Sequence, residues 1–189
     1  MRIKYNAPTV LTFTLLCTTV LILSGFFPTL ILNWFLVPGR NTFRAGSFRN
    51  WVTILTHVAG HANRAHLINN FMLILLIGPM LEENYGSKSL LIMIVTTALV
   101  TGVLNVLLFN SALLGASGVV FMMILLSSFT NFNHGEVPLT FILVMILYMG
   151  LQLFNTSDPE NVSHFAHFVG GLCGSIFGFF RPQRKGSYV

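Results

Sequence analysis

The sequence predicts an all-α membrane protein built from six transmembrane helices in a single domain, residues 1–189. The chain is 54% hydrophobic and 8% charged, and its mean hydropathy is +0.77. Water-soluble domains carry about 25% charged residues, so this chain has too few charges to cover a water-facing surface. Six separate apolar segments follow one another along the sequence, and each ends in polar or turn-forming residues. The solvent for most of this protein is therefore lipid.

The first apolar segment covers residues 8–27. Pro8 suits the first turn of a helix, and Gly25 and Pro28 mark the end of the segment. The segment is long and lacks a small-residue cleavage site, so we expect a retained span and not a signal peptide. Residues 29–64 mix tryptophan and phenylalanine with arginine and are too polar to span. We expect this interfacial segment to lie at the lipid headgroups.

The five later spans are predicted at residues 65–80, 89–109, 116–129, 138–154 and 162–180. Residues 89–135 contain no Asp, Glu, Lys or Arg, and a break at 110–118 divides this stretch into two spans. The fourth span is too short, because crossing the hydrocarbon takes about 20 helical residues. Non-helical backbone below the membrane surface must line a water-filled cavity or be buried in protein. We therefore expect a hydrated cavity that ends at Ser117.

The basic residues predict the orientation in the membrane. Ten Lys and Arg stand against five Asp and Glu, but many of the basic residues flank apolar segments, which is typical of membrane orientation and not of nucleic-acid binding. An even number of spans places both termini on one side. With both termini cytoplasmic, the inner basic residues are Arg2, Lys4, Lys88, Arg181, Arg184 and Lys185. The outer ones are Arg40, Arg44, Arg49 and Arg64.

Ser117 is the most informative single residue. It lies in Gly115-Ala116-Ser117-Gly118, at the start of the short fourth span. A helix N-terminus carries unpaired backbone N–H groups and favours negative charge, so a serine there can attack a carbonyl and offer its own N–H to the resulting oxyanion. The flanking glycines permit a tight turn and close approach of a substrate. The alternative is that these small residues serve close helix packing.

His167 lies inside the sixth apolar segment, where an ionisable side chain is costly and needs a reason. Gly170, Gly174 and Gly178 share its helical face and would let a neighbouring helix approach closely. If that neighbour is the fourth span, His167 reaches Ser117. The alternative is a histidine that bonds a carbonyl in a packed core.

A third group of polar residues precedes and begins the second span. His66 and Asn70 lie four residues apart, hence on one helical face, and both can donate hydrogen bonds to a developing negative charge. Asn69 is expected to point away, and His61 precedes the span. The alternatives are hydrogen bonding between helices or a metal site.

The inventory of side chains favours serine chemistry over metal or aspartyl chemistry. The sequence has no His-Glu-x-x-His motif, and all five acidic residues are expected at span edges or in loops. No carboxylate is placed to orient His167, so we expect a Ser–His dyad, with Phe121 stacked on the imidazole. We expect no disulfide framework, with Cys17 and Cys173 as free thiols. The histidines available as metal ligands are His57, His61, His66, His164 and His167.

Together these residues resemble a rhomboid intramembrane serine protease of the minimal six-helix bacterial type. The order of the motifs and their positions on the second, fourth and sixth spans carry the resemblance, which covers nearly the whole chain. The matching motifs are Gly115-Ala116-Ser117-Gly118, then Ala166-His167 with Gly170 and Gly174, and His61 with His66 and Asn70.

By this resemblance, Ser117 is the nucleophile and His167 is the general base and later the acid. His66, Asn70 and the Ser117 N–H stabilise the oxyanion, and His61 shapes the neighbouring loop. The substrates implied are other transmembrane proteins, unwound near a helix end and cut at a small residue. The location implied is the bacterial cytoplasmic membrane, and neither a metal nor a cofactor is implied. The supporting residues implied are Gly115, Gly118, Phe121, Gly170 and Gly174.

The chain departs from the family pattern at two positions. Val52 follows Trp51 where many members have arginine, and Phe121 stands where many have tyrosine. Neither change removes a catalytic group. Two other classes remain open. One is a catalytically silent rhomboid-like protein that binds or escorts membrane clients, and the other is a small transporter or channel with a polar midplane site, although no internal repeat is visible. The resemblance also predicts a gate at residues 155–161 with the fifth span, and the oligomeric state is left open.

Overall fold

The computed structural model describes residues 3–129, 137–154 and 161–181. These residues form helices joined by loops and turns, with one isolated antiparallel bridge between Val37 and Leu113. The all-α prediction is thus confirmed for the described part of the chain. The predicted gate at residues 155–161 lies outside the described residues, except for Asn161, which begins the last helix. The α-helices, with a 3₁₀ turn at His57–Ala59 between the third and fourth, are α1 Pro8–Phe26, α2 Leu30–Trp34, α3 Phe48–Thr56, α4 Arg64–Tyr85, α5 Ser87–Leu108, α6 Ser117–Ser127, α7 Leu139–Phe154 and α8 Asn161–Phe180.

Three of the described helices, α1, α4 and α5, are long and apolar enough to cross a bilayer, with 19, 22 and 22 residues. Helix α6 is also apolar but has 11 residues, about half the length that a bilayer requires. It packs against α4, α5 and α8, and most of its side chains are buried. A short helix enclosed by longer ones can begin well inside the thickness of the protein.

The interfacial segment, residues 29–64, folds into α2, α3 and the 3₁₀ turn. It also holds the loop that precedes α6. Val37 and Leu113 exchange two backbone hydrogen bonds of 3.0 Å, and the Gly115 N–H donates to the His57 carbonyl at 3.0 Å. These bonds satisfy the non-helical backbone of the loop, which would otherwise be costly to bury.

Helix α4 corrects one expectation from the sequence. It continues past the predicted span end at residue 80 to Tyr85, so Glu82 lies within a helix and is buried, with 5% of its surface exposed. Its two carboxylate oxygens accept from the backbone N–H groups of Thr9 and Val10, at 2.8 and 3.0 Å. These N–H groups belong to the first turn of α1, where a helix has unpaired donors and favours a negative charge.

Glu82→Gln is expected to destabilise the fold, because an amide keeps one acceptor and turns an NH₂ group towards a backbone donor. Losing a hydrogen bond to a buried charged group costs about 1–3 kcal/mol, so the thermal unfolding midpoint in detergent should fall clearly. Glu83→Gln is the matched control, because the neighbouring Glu83 is exposed. Equal midpoints for the two variants would contradict this account of α1.

Candidate active site

A cavity of about 690 Å³ lies at the N-terminal end of α6, where the sequence predicts one. Its wall is formed by the start of α4, the loop before α6, the first turns of α6, and α8. The structure brings five of the predicted site residues to this wall. The lining residues are Ala62, Asn63, His66, Asn69, Asn70, Leu73, Ser111, Ala112, Leu113, Leu114, Ser117, Val120, Phe121 and His167.

Ser117 is the first residue of α6, and the turn before it depends on a glycine. Gly115 has φ of 118°, a left-handed conformation that side chains disfavour. The Ala116 N-cap has no side chain that could occupy the helix end. The backbone N–H groups of the first turn of α6 therefore have no intrahelical partner beside the cavity.

His66 lies directly against this turn. A Cβ added at Gly115 would come 2.5 Å from His66 Cε1 and 2.8 Å from Nε2, so only glycine lets the turn lie flush on the imidazole. His66 is held in the first turn of α4, because its N–H donates to the Asn63 side chain at 2.9 Å. Asn63 is a positioning residue that the sequence analysis missed, although asparagine just before an apolar helix is a strong N-cap signal.

Helices α6 and α8 approach so closely that their backbones touch. A Cβ at Gly170 would overlap the carbonyl of Gly118, and one at Gly174 would overlap the carbonyl of Met122. Gly118 also lies close to α8, because a Cβ built on it would be 3.3 Å from the Ala166 carbonyl oxygen. This glycine face places His167 beside the first turns of α6.

Phe121 stacks flat on His167, as the sequence predicts, with ring centroids 4.2 Å apart and planes 6° apart. His167 Nδ1 is buried and forms no hydrogen bond with any described residue. Ser117 and His167 share the cavity wall, and no hydrogen bond joins their side chains among the described residues. Catalytic hydrogen bonds are often long without substrate and shorten when it binds. The stack on Phe121 fixes the plane of the His167 imidazole.

Asn70 is 7% exposed, and its buried Nδ2 has no hydrogen-bond partner among the described residues, so a donor is available at the cavity wall. Asn69 corrects a prediction: it was expected to point away, but it also lines the cavity, with an exposed side chain. The cavity spans a wide arc of this helix turn, so neighbouring positions both reach it.

His61 lies behind His66 and does not line the cavity. Its ring makes edge contacts with His66 and Phe71, at centroid distances of 5.1 and 5.7 Å. Burial, with the nearby His66, lowers the pKa of His61 to about 4. The His61 ring is therefore neutral at neutral pH, and it packs against His66 without lining the cavity.

His57 lies in the interfacial segment, where both of its ring nitrogens contact polar groups of the protein. Its Nδ1 lies 3.0 Å from the Ile54 carbonyl, and its Nε2 lies 3.3 Å from the Thr101 hydroxyl. Burial lowers its pKa to about 4, so it is neutral at neutral pH. No group of three His, Cys, Asp or Glu side chains suited to a metal occurs within the described residues, and both cysteines are buried free thiols.

Comparison with known proteins identifies the family. The family described as Rhomboid domain matches residues 49–184, which is most of the chain and includes every residue of the cavity wall. The chain therefore belongs to the rhomboid family, and it is an integral membrane protein whose described residues form a helical fold.

Two curated relatives are similar to this chain. Over 137 residues it is 25% identical to the Rhomboid protease GlpG of Haemophilus influenzae, an alignment that covers 70% of this chain and 71% of that protein. Over 134 residues it is 31% identical to Rhomboid-related protein 1 of Caenorhabditis elegans. That alignment covers 63% of this chain and 36% of the relative, so it spans about a third of the longer protein.

Gly170→Ala is expected to force α6 and α8 apart, because the new methyl group has only the Gly118 backbone to displace. Overpacking of this kind costs about 1–3 kcal/mol or more, so the thermal unfolding midpoint should fall. Gly25→Ala is the matched control, since nothing lies within 4 Å of its Cβ position. A Gly170→Ala protein as stable as Gly25→Ala would show that the two backbones do not touch.

Proposed function

We propose that this protein is an intramembrane serine protease that hydrolyses peptide bonds of transmembrane proteins through a Ser117–His167 dyad. The observation that carries the proposal is the meeting of Ser117, His167, His66 and Asn70 on one cavity at the start of the short helix α6. The membership of the rhomboid family and the similarity to a rhomboid protease support the same reaction.

In the proposed reaction, the Ser117 hydroxyl attacks the scissile carbonyl and passes its proton to His167. Because Nδ1 of His167 is buried, Nε2 is the nitrogen that takes the proton. His167 then gives this proton to the leaving amine, which departs and leaves an acyl-enzyme on Ser117 Oγ. A water molecule then gives a proton to His167 and attacks the ester carbonyl. The resulting intermediate breaks its bond to Ser117 Oγ, which takes the proton back from His167, and the acid product leaves. The stack on Phe121 keeps the imidazole in one orientation during both steps.

The oxyanion of each tetrahedral intermediate needs donors that are already in place. Three are proposed: the backbone N–H of Ser117, the His66 imidazole and the Asn70 amide. The Asn70 Nδ2 supports this assignment, because it is buried at the cavity without a partner among the described residues. The positive end of the α6 dipole adds to the same stabilisation.

The proposed membrane arrangement has six spans, formed by α1, α4, α5, α6, α7 and α8, with both termini in the cytoplasm of a bacterial cell. The short α6 then begins below the membrane surface, and the cavity admits water to that depth. A substrate helix must unwind to enter the cavity, so we expect cleavage near a helix end at a small residue. The reaction needs neither a metal nor a cofactor.

Ser117→Ala and His167→Asn are both expected to abolish cleavage of a transmembrane reporter in proteoliposomes, while the thermal unfolding midpoint of Ser117→Ala stays near that of the wild type. Ser111→Ala is the matched control, because Ser111 also lines the cavity. Turnover by purified Ser117→Ala protein would end the assignment. A folded wild type without turnover on any transmembrane reporter would favour a silent, client-binding protein.

His66→Ala and Asn70→Ala are expected to lower kcat by roughly tenfold to a thousandfold with little change in KM, because an oxyanion donor acts in the transition state. Asn69→Ala is the control, since Asn69 lines the same cavity on the same helix. An effect on KM alone, or an equal loss of kcat in Asn69→Ala, would contradict the oxyanion assignment.

A further inference from the structure

The interfacial segment exposes arginines whose charges no described residue neutralises. Arg40, Arg44 and Arg49 are all exposed. Arg49 donates to the Asn33 side chain at 3.0 Å and lies 5.4 Å from the centre of the Trp34 ring. The side chains of Arg40 and Arg44 have no hydrogen-bond or ion-pair partner among the described residues. The sequence contains no Asp or Glu from residue 29 to 81, so nothing acidic is close in sequence.

Aromatic side chains stand exposed beside these arginines. Phe48 is 77% exposed, Trp51 53% and Trp34 40%. Trp51 is held rigidly, because its indole N–H donates to the Ala45 carbonyl at 2.8 Å and its ring packs edge-on against Phe43 at 5.3 Å. An aromatic ring whose polar end is already satisfied presents an apolar face, which suits the boundary between headgroups and acyl chains.

We propose that this arginine–tryptophan surface, made of Trp34, Arg40, Arg44, Phe48, Arg49 and Trp51, binds the phosphate headgroups of anionic phospholipids. The arginines supply charge for the phosphate and the rings lie against the upper acyl chains. This inference depends on the proposed membrane insertion and not on catalysis. It assigns to the segment a preference for lipid charge, which goes beyond a position at the interface.

The mixture of side chains favours a lipid over an acidic polypeptide as the occupant. An acidic peptide would pair with the arginines but would leave the side chain of Phe48 in water. A phospholipid satisfies both parts of the surface at once, because its phosphate and its acyl chains are joined at the depth where the rings lie.

The chain offers a direct reporter, because Trp34 and Trp51 are its two tryptophans and both belong to this surface. The full-length protein is reconstituted in phosphatidylcholine vesicles that contain a minor fraction of brominated lipid. In one sample the brominated lipid is phosphatidylglycerol, and in the other, at the same fraction, it is phosphatidylcholine. Brominated chains quench tryptophan fluorescence on contact. We expect brominated phosphatidylglycerol to quench several-fold more strongly, and added salt to reduce the excess.

Arg40→Gln with Arg44→Gln should remove most of that excess quenching. The fold should be kept, because both side chains are exposed and have no partner among the described residues. An unchanged thermal unfolding midpoint checks this. Lys4→Gln with Lys88→Gln is the matched control, since it removes the same charge from other exposed positions and should keep the excess.

Three outcomes would overturn the proposal. The first is equal quenching by the two brominated lipids in the wild type. The second is an excess that survives in the double arginine variant or disappears equally in the double lysine control. The third is tryptophan emission that responds to a soluble acidic peptide and not to the charge of the lipid, which would make the surface a polypeptide site.

Discussion

The candidate site depends on one contact, the meeting of the α6 and α8 backbones at Gly118 and Gly170. Lipid tails are as apolar as leucine, so helices in a membrane gain little from the hydrophobic effect and must associate through close packing. A side chain at Gly170 would overlap the Gly118 carbonyl and separate the two helices. Ser117 precedes one glycine by one residue and His167 precedes the other by three. The packing that holds the helices together is therefore also what brings Ser117 and His167 to one cavity.

A second constraint joins the membrane surface to the site. The chain before α6 is non-helical, and its backbone groups need partners at a depth where water is scarce. The interfacial segment supplies them, through the paired bonds of Val37 with Leu113 and through the His57 carbonyl. The segment that carries the arginine–tryptophan surface thus also fixes the turn at Gly115. The proposed anchoring at the headgroups and the position of Ser117 therefore depend on the same segment.

Features set by local spacing could be predicted from the sequence. The stack of Phe121 on His167 and the glycine face of α8 follow from helical periodicity, and the cavity follows from the shortness of one apolar segment. Features set by contacts between distant residues could not. The pairing of Val37 with Leu113 and the burial of Glu82 under the start of α1 join residues more than seventy positions apart. Hydropathy predicts that a charged residue lies near the end of a span. It does not reveal that the first turn of another helix binds that charge.

The most direct test of the central claim is to label the detergent-purified protein with a fluorophosphonate and map the modified residue by mass spectrometry. A serine activated by a neighbouring histidine is phosphonylated, whereas an ordinary packing serine is not. The account predicts modification at Ser117 that disappears in His167→Asn. Modification of a different serine, or labelling of Ser117 that proceeds as fast without His167, would contradict it.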